Sequence, residues 1–242
     1  MPESKKPRKK HHKDIQSDFI NLTSHQLRTP LSGSKWLLEL LQKPGTGSLN
    51  KKQRDFLEKI NIENERMIAL VNDLLEVTRI EAGQTKLYLQ PTDLTTVIRG
   101  LIKEKGKEVK KKRLQIVFTM QQKPFPLVRT EMNKIRHAMS NLLSNAIAYT
   151  HEGGKITIDL QVQDGMLLGT ISDTGVGIPK DMQDEIFTKF FRGANVTSLE
   201  TTGTGLGLYI SRAFIEASGG KLWFKSNEGQ GTTFYFTLPI VR

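Results

Sequence analysis

The chain has 242 residues, enough for one large domain or two smaller ones. It contains no cysteine, which excludes a disulfide framework, a thiolate metal site and a cysteine nucleophile. Its net charge of +11 gathers in two Lys-rich runs, residues 1–13 and 103–113, neither of which carries the interleaved aromatics of a single-strand nucleic-acid surface. The runs read as a solvated arm and a solvated helix face, and no direct nucleic-acid binding is expected. No apolar run approaches the roughly 20 residues of a membrane span, and no apolar signal core follows the basic start. The expectation is a soluble, cytoplasmic chain, whether alone or as the soluble portion of a longer parent tethered to a membrane.

Residues 1–13 hold Pro2, Pro7 and almost nothing apolar, and are predicted to be a disordered basic arm. A helical pattern then runs from Asp14 to about Lys43, with Ile15, Phe19, Leu22, Leu27, Leu31, Leu37, Leu38 and Leu41 on roughly one stripe. His25 lies inside it between two polar residues, Ser24 and Gln26. Pro30 falls in the same helix, where a proline removes a backbone hydrogen bond and kinks the axis. On this stretch alone His25 is as readily a surface residue as a site.

Pro44-Gly45-Thr46-Gly47 stops the first helix, and Ser48 can cap a second that runs to about Glu81 and ends at Gly83. In it Leu57, Asn64, Val71 and Thr78 are spaced by seven, as are Ile60, Met67 and Leu74. Two long helices and a short turn make an antiparallel hairpin. Its apolar residues lie on more than one side, so a second copy is expected to complete a four-helix bundle as a homodimer.

After Gly83 the periodicity changes. Short strands are predicted at Lys86 to Leu89, ended by Pro91, and at Leu114 to Met120, with a helix from Asp93 to about Lys112 between them. Thr130 is expected to cap a helix reaching Tyr149. Strands follow at Lys155 to Gln163 and Met166 to Ser172, turning at Asp164-Gly165. A short helix is predicted from Pro179 to Phe191, a second from Leu206 to Ser218, and a closing hairpin from Lys221 to Ser226 and Thr232 to Leu238. This order indicates an α+β two-layer sandwich. The domains read as an arm over 1–13, a helical hairpin over 14–83 and a sandwich over 84–242.

Three pieces of the second domain carry chemistry. Asn141 and Asn145 are four apart on a helix and share a face. The amide oxygen of Asn145 suits a hard cation such as Mg²⁺, which takes few protein ligands when phosphates supply the rest. Asp173-Thr-Gly175-Val-Gly177 follows a strand, and its glycines let the backbone turn and approach a ligand closely. Gly203-Thr-Gly205-Leu206-Gly207 opens a helix, whose first N–H groups form an anion site. Taken singly, these are equally a capping pair, an Asx turn and a flexible loop.

Their order, with a Phe-rich segment between the last two, resembles the Bergerat ATP-binding fold of the GHKL superfamily. Ser24-His25-Gln26-Leu27-Arg28-Thr29-Pro30 resembles the phosphoacceptor box of sensor histidine kinases. Together the resemblance covers residues 15–242. It implies that His25 takes the γ-phosphoryl group of ATP and passes it to an aspartate on a response-regulator receiver domain. It further implies that Asn145 ligates Mg²⁺, that Asn141 lines the phosphate side, and that Asp173 binds the adenine amine beside Tyr149, with Gly175 and Gly177 admitting the base. Lys189 and Arg192, in a segment resembling the lid's phenylalanine box, would reach phosphates or remain solvated. Gly203, Gly205, Leu206 and Gly207 would cradle the phosphates. The input would come from an upstream sensor domain absent from this chain.

Two residues depart from the family pattern. Gln26 stands where an acidic base usually follows the histidine, and an amide cannot accept a proton. With Thr29 on the same turn it is expected to orient water, giving a phosphatase of the regulator as well as a kinase. Ala148 stands where the family often carries Lys or Arg. The rival readings are another GHKL-type ATPase and a dimeric nucleotide-sensing scaffold with little kinase activity.

Overall fold

Residues 26–43, 45, 47–192 and 203–241 are described by the computed structural model. The predicted arm, His25, Pro44, Thr46 and the stretch 193–202 lie outside the described residues. The chain divides into two compact units between Thr85 and Lys86.

In the first unit, residues 26–41 are helical (α1) and Lys51–Glu81 form α2. The cap of α2 is Asn50 rather than Ser48. Its side chain accepts from the Gln53 N–H at 2.9 Å, and the Gln53 side chain accepts from the Asn50 N–H at 2.9 Å. Only Asn50 has a glutamine three residues on to complete this reciprocal pair. Gly83 ends α2 as predicted: it takes φ +66°, its N–H meets the Ile80 carbonyl, and Gln84 reaches back to Arg79.

The two heptad seams separate. Asn64 is 2% exposed and donates to the Leu31 carbonyl of α1 at 3.1 Å, with Leu57, Val71 and Thr78 half-buried along the same seam. Ile60, Met67 and Leu74 stay 53%, 47% and 41% exposed. Two polar pairs set the register of the hairpin. Lys35 meets Glu65 at 2.6 Å, and Arg28 donates from Nε and Nη2 to Asn72 Oδ1 at 3.3 and 3.0 Å. Among the described residues no helix is long and apolar enough to cross a membrane.

The second unit is an α+β two-layer sandwich. Its elements are β1 (Gln90–Thr92), α3 (Leu94–Glu104), α4 (Gly106–Lys111), β2 (Gln115–Met120), β3 (Val128–Thr130), α5 (Met132–Tyr149), β4 (Lys155–Gln163), β5 (Met166–Asp173), α6 (Gly207–Ala217), β6 (Lys221–Asn227) and β7 (Gly231–Pro239). Five strands form one sheet in the order β2-β4-β5-β7-β6. Only β2 and β4 are parallel, and the long connection through α5 is what such a pair requires. Strict alternation along β5 turns Leu167 and Ile171 inward to meet Phe234, Phe236 and Leu238 of β7. Helix α5 covers this face with Ile135, Met139, Leu142 and Leu143, and α6 packs beside it, adding Ile215 to the same core and burying Phe214 against His137 of α5.

Four local expectations change. The first strand is Gln90–Thr92, not residues 86–89, and contains Pro91 opposite Arg129. A two-stranded antiparallel ribbon leaves alternate N–H groups unneeded, so proline is tolerated there. The helix expected from Asp93 breaks at Lys105 into α3 and α4, ahead of the poor helix former Gly106. Thr130 is not a cap: it is buried at the end of β3 with its hydroxyl 2.9 Å from Ser218 Oγ, and Glu131 occupies the cap position. The segment after Pro179 forms one 3₁₀ turn, Lys180–Met182, then isolated turns such as Thr188 N–H to the Glu185 carbonyl. These three-residue closures cannot propagate as an α-helix.

Candidate functional site

Helix α5 turns its apolar stripe to the sheet, which leaves Asn141 and Asn145 half-buried on its flank. Asn141 Nδ2 donates to the Gly207 carbonyl, at the first turn of α6, at 3.2 Å. Ser211 Oγ donates to the same carbonyl at 2.7 Å and fixes it. A Cβ on Gly207 would stand 3.2 Å from Asn141 Cγ, so this glycine lets the two helices approach. Leu206, fully buried, anchors the start of α6, and its N–H donates to Thr204 Oγ1 at 3.2 Å. Gly203 has open space around it.

Asp173 ends β5 and is 7% exposed. Its Oδ1 accepts from the N–H groups of Gly175 at 2.8 Å and Thr232 at 3.3 Å. Burial raises its carboxyl above the ordinary value, and the two N–H donors offset part of that. The loop beyond it is wedged between α5 and the β6–β7 turn. Val176 N–H donates to the Tyr149 carbonyl at 3.1 Å, and Gly229 N–H donates to the Val176 carbonyl at 2.7 Å. A Cβ on Gly175 would lie 2.2 Å from the Tyr149 carbonyl oxygen, and one on Gly177, which has φ +68°, 2.0 Å from that of Asn227. The two glycines are therefore required by close packing as well as by any ligand.

The Phe-rich segment leans on α6 and β6. Phe187 meets Phe224 edge-on, with ring centroids 5.8 Å apart, and the Arg212 guanidinium lies 5.2 Å from the Phe187 ring centroid. Lys189 Nζ lies 5.9 Å from the Tyr209 ring centroid, and Arg192 is half-buried. Phe190 is exposed with φ +62°. Gly205 passes against it, where a Cβ would be 2.7 Å from the Phe190 carbonyl carbon.

Of the predicted residues of this unit, Asn141 meets Gly207, Gly175 meets both Asp173 and Tyr149, and Gly205 passes Phe190 of the Phe-rich segment, while Asn145 is brought to none of these contacts. Gln26 and Thr29 lie exposed on α1 of the other unit. Sequence reasoning missed Thr232, whose N–H shares Asp173 Oδ1, because Gly-Gln-Gly-Thr reads as a plain hairpin turn. It also missed Lys112, which nothing marks within its lysine run. Among the described residues no group of three or more His, Cys, Asp or Glu is placed to hold a metal.

Residues 130–242 match the family model for the histidine kinase-, DNA gyrase B- and HSP90-like ATPase. Residues 15–83 match the His Kinase A (phospho-acceptor) domain. The chain carries the phospho-acceptor and ATPase domains of the histidine kinases. It is 34% identical over 226 residues to the sensor histidine kinase WalK of Bacillus subtilis, covering 92% of this chain and 36% of WalK. It is 32% identical over 237 residues to the autoinducer 2 sensor kinase/phosphatase LuxQ of Vibrio cholerae, covering 93% of this chain and 26% of LuxQ. Among solved structures, full-length ShkA in complex with AMPPNP matches with a TM-score of 0.76 at 27% identity, over 93% of this chain and 46% of ShkA. The chain thus spans about a third or less of these two curated relatives. Within these matches the sequence carries Gln26 after His25 and Ala148 beside Tyr149.

Proposed function

We propose that this chain is the cytoplasmic catalytic core of an ATP-dependent protein-histidine kinase, acting as a homodimer in two-component signalling. The observation that carries the reading is that one helix, α5, carries both Tyr149, packed against the Asp173–Gly175 loop, and Asn141, bonded to Gly207, in a chain that also matches a phospho-acceptor domain. The imidazole of His25 attacks the γ-phosphorus of ATP. An N–P bond forms, the bond to the β–γ bridging oxygen breaks, and ADP leaves. A carboxylate of a receiver domain then attacks the phosphorus, the N–P bond breaks, and the imidazole is regenerated. Neutral imidazole is a competent nucleophile near pH 7.

Such transfer depends on positioning and charge neutralisation more than on covalent help. Asp173 accepts from the adenine amine, and the loop glycines keep side chains out of the base's path. Asn141 and the Gly203–Gly207 stretch face the phosphates. Mg²⁺ neutralises phosphate charge when bound, and the donor set here fits it only as a phosphate-shared ion: Asn145 offers one neutral oxygen, and phosphates must supply most of the others. A hydrolytic ATPase reading is weaker because Asn141 cannot act as a base toward water.

Gln26 and Thr29 support a second activity, dephosphorylation of the regulator, with an amide and a hydroxyl holding the attacking water. The name of LuxQ, a sensor kinase/phosphatase, accords with this. The exposed seam of Ile60, Met67 and Leu74 supports the homodimer. The signal enters through residues 14–24 from a sensor domain elsewhere in the parent.

Mixing the chain with γ-labelled ATP, Mg²⁺ and a receiver domain tests the reading. Label is expected to appear first on the chain and then on the receiver. Release of free phosphate with neither protein labelled would refute it.

A further inference from the structure

A helix end leaves its last carbonyls without intrahelical partners. At the end of α5 one side chain collects them. Lys112, just past α4, donates from Nζ to the carbonyls of Ile147 at 2.9 Å, Ala148 at 2.6 Å and Thr150 at 3.3 Å. An ammonium has three donors and no acceptor, so three carbonyls satisfy it fully. A cation here also sits at the negative end of the helix dipole. The backbone of Lys112 grips the same turn, its carbonyl accepting from the Gly153 N–H at 2.9 Å.

The carbonyls so held flank Tyr149. The Tyr149 carbonyl accepts from Val176 at 3.1 Å, and Gly175 packs so tightly against it that a Cβ would come to 2.2 Å. The Gly175 N–H in turn donates to Asp173 Oδ1 at 2.8 Å. A continuous set of contacts therefore runs from the ammonium, through the end of α5, to the buried carboxylate. A small displacement of the Tyr149 carbonyl cannot be absorbed before it reaches Asp173, because close-packed backbone has no slack.

We infer that Lys112 is a positioning residue for base recognition: by tying off the end of α5 it sets the spacing between Tyr149 and Asp173. The inference rests on the proposed reading of Asp173 as the partner of the adenine amine. It gives Lys112 a role distinct from phosphate binding, since its Nζ is engaged by carbonyls of the helix end.

The test compares dissociation constants for ATP and ITP, whose base carries an oxygen in place of the amine, in the full chain. Melting temperatures are measured in parallel. Lys112→Met keeps the aliphatic stem and removes every donor. It is expected to weaken ATP binding about tenfold, the scale of a lost charged hydrogen-bond set, and ITP binding much less. The ATP-to-ITP preference therefore falls, and Lys112→Arg, which retains donors and charge, restores most of it. A role in stability alone would lower the melting temperature and leave the preference of the folded protein intact. If Lys112→Met does not fold, Lys112→Leu, which also lacks a donor, is read in the same way. An unchanged preference in the folded neutral variant overturns the inference. A wild-type chain that does not distinguish ATP from ITP instead overturns the reading of Asp173 on which the inference stands.

Discussion

Asn141 and Gly207 meet at a single point where α5 and α6 converge: the amide donates to the carbonyl at 3.2 Å. An added Cβ at Gly207 would fall 3.2 Å from Asn141 Cγ. Alanine is a better helix former than glycine by up to about 1 kcal/mol. Gly207→Ala should therefore leave the melting temperature within a few degrees of wild type. It should still push the Asn141 amide off the carbonyl and weaken ATP binding about tenfold. A nucleotide titration run beside a thermal melt separates the two effects.

Asp173 gives a pH dependence whose sign is fixed by burial, which raises its carboxyl above the usual 3.8 despite the Gly175 and Thr232 donors. A group that binds its proton more tightly when folded stabilises the fold below its unfolded pKa. That contribution is lost as pH rises through the raised native value. The ionised carboxylate is the stronger acceptor for an amine, so ATP affinity should move the opposite way and rise over the same interval. Asp173→Asn should flatten the pH dependence of both urea stability and binding, and should weaken ATP binding at neutral pH.

Met67 lies midway along the exposed seam, between Ile60 and Leu74. A charge placed there would be buried unpaired in a four-helix bundle, at a cost of several kcal/mol. Met67→Asp is expected to give a monomer by sedimentation at micromolar concentration, with helix content retained in the separate hairpin.

Thr29 lies exposed on α1 with Gln26 three residues before it. Removing its hydroxyl should lower dephosphorylation of the receiver by at least about tenfold, within the range of a single positioned group. Autophosphorylation of His25 should remain within a few fold. Measuring the two rates on Thr29→Ala and wild type checks this.

Much of this was legible because pattern and packing agree. Strict alternation in Met166–Asp173 and the apolar stripe of α5 state which face is buried, and the sheet follows. The Asp-Gly and Gly-rich stretches were legible because few other residues tolerate those turns. The misplacements occur where a residue has two uses. Thr130 has the chemistry of a cap but is consumed by Ser218 in the core. Pro91 ends most strands, yet stands in a ribbon that needs no N–H from it. Lys112 is one lysine among many until the fold carries it to the end of α5. Contacts between residues distant in the chain, such as Thr232 with Asp173, leave no periodic trace.

The central claim is that His25 is phosphorylated by ATP bound in the second unit. The direct measurement is incubation with γ-labelled ATP and Mg²⁺, followed by acid and base treatment of the denatured protein. The account predicts an acid-labile, base-stable label that disappears in His25→Ala and, at limiting ATP, falls in Asp173→Asn. Label that persists in His25→Ala would contradict it.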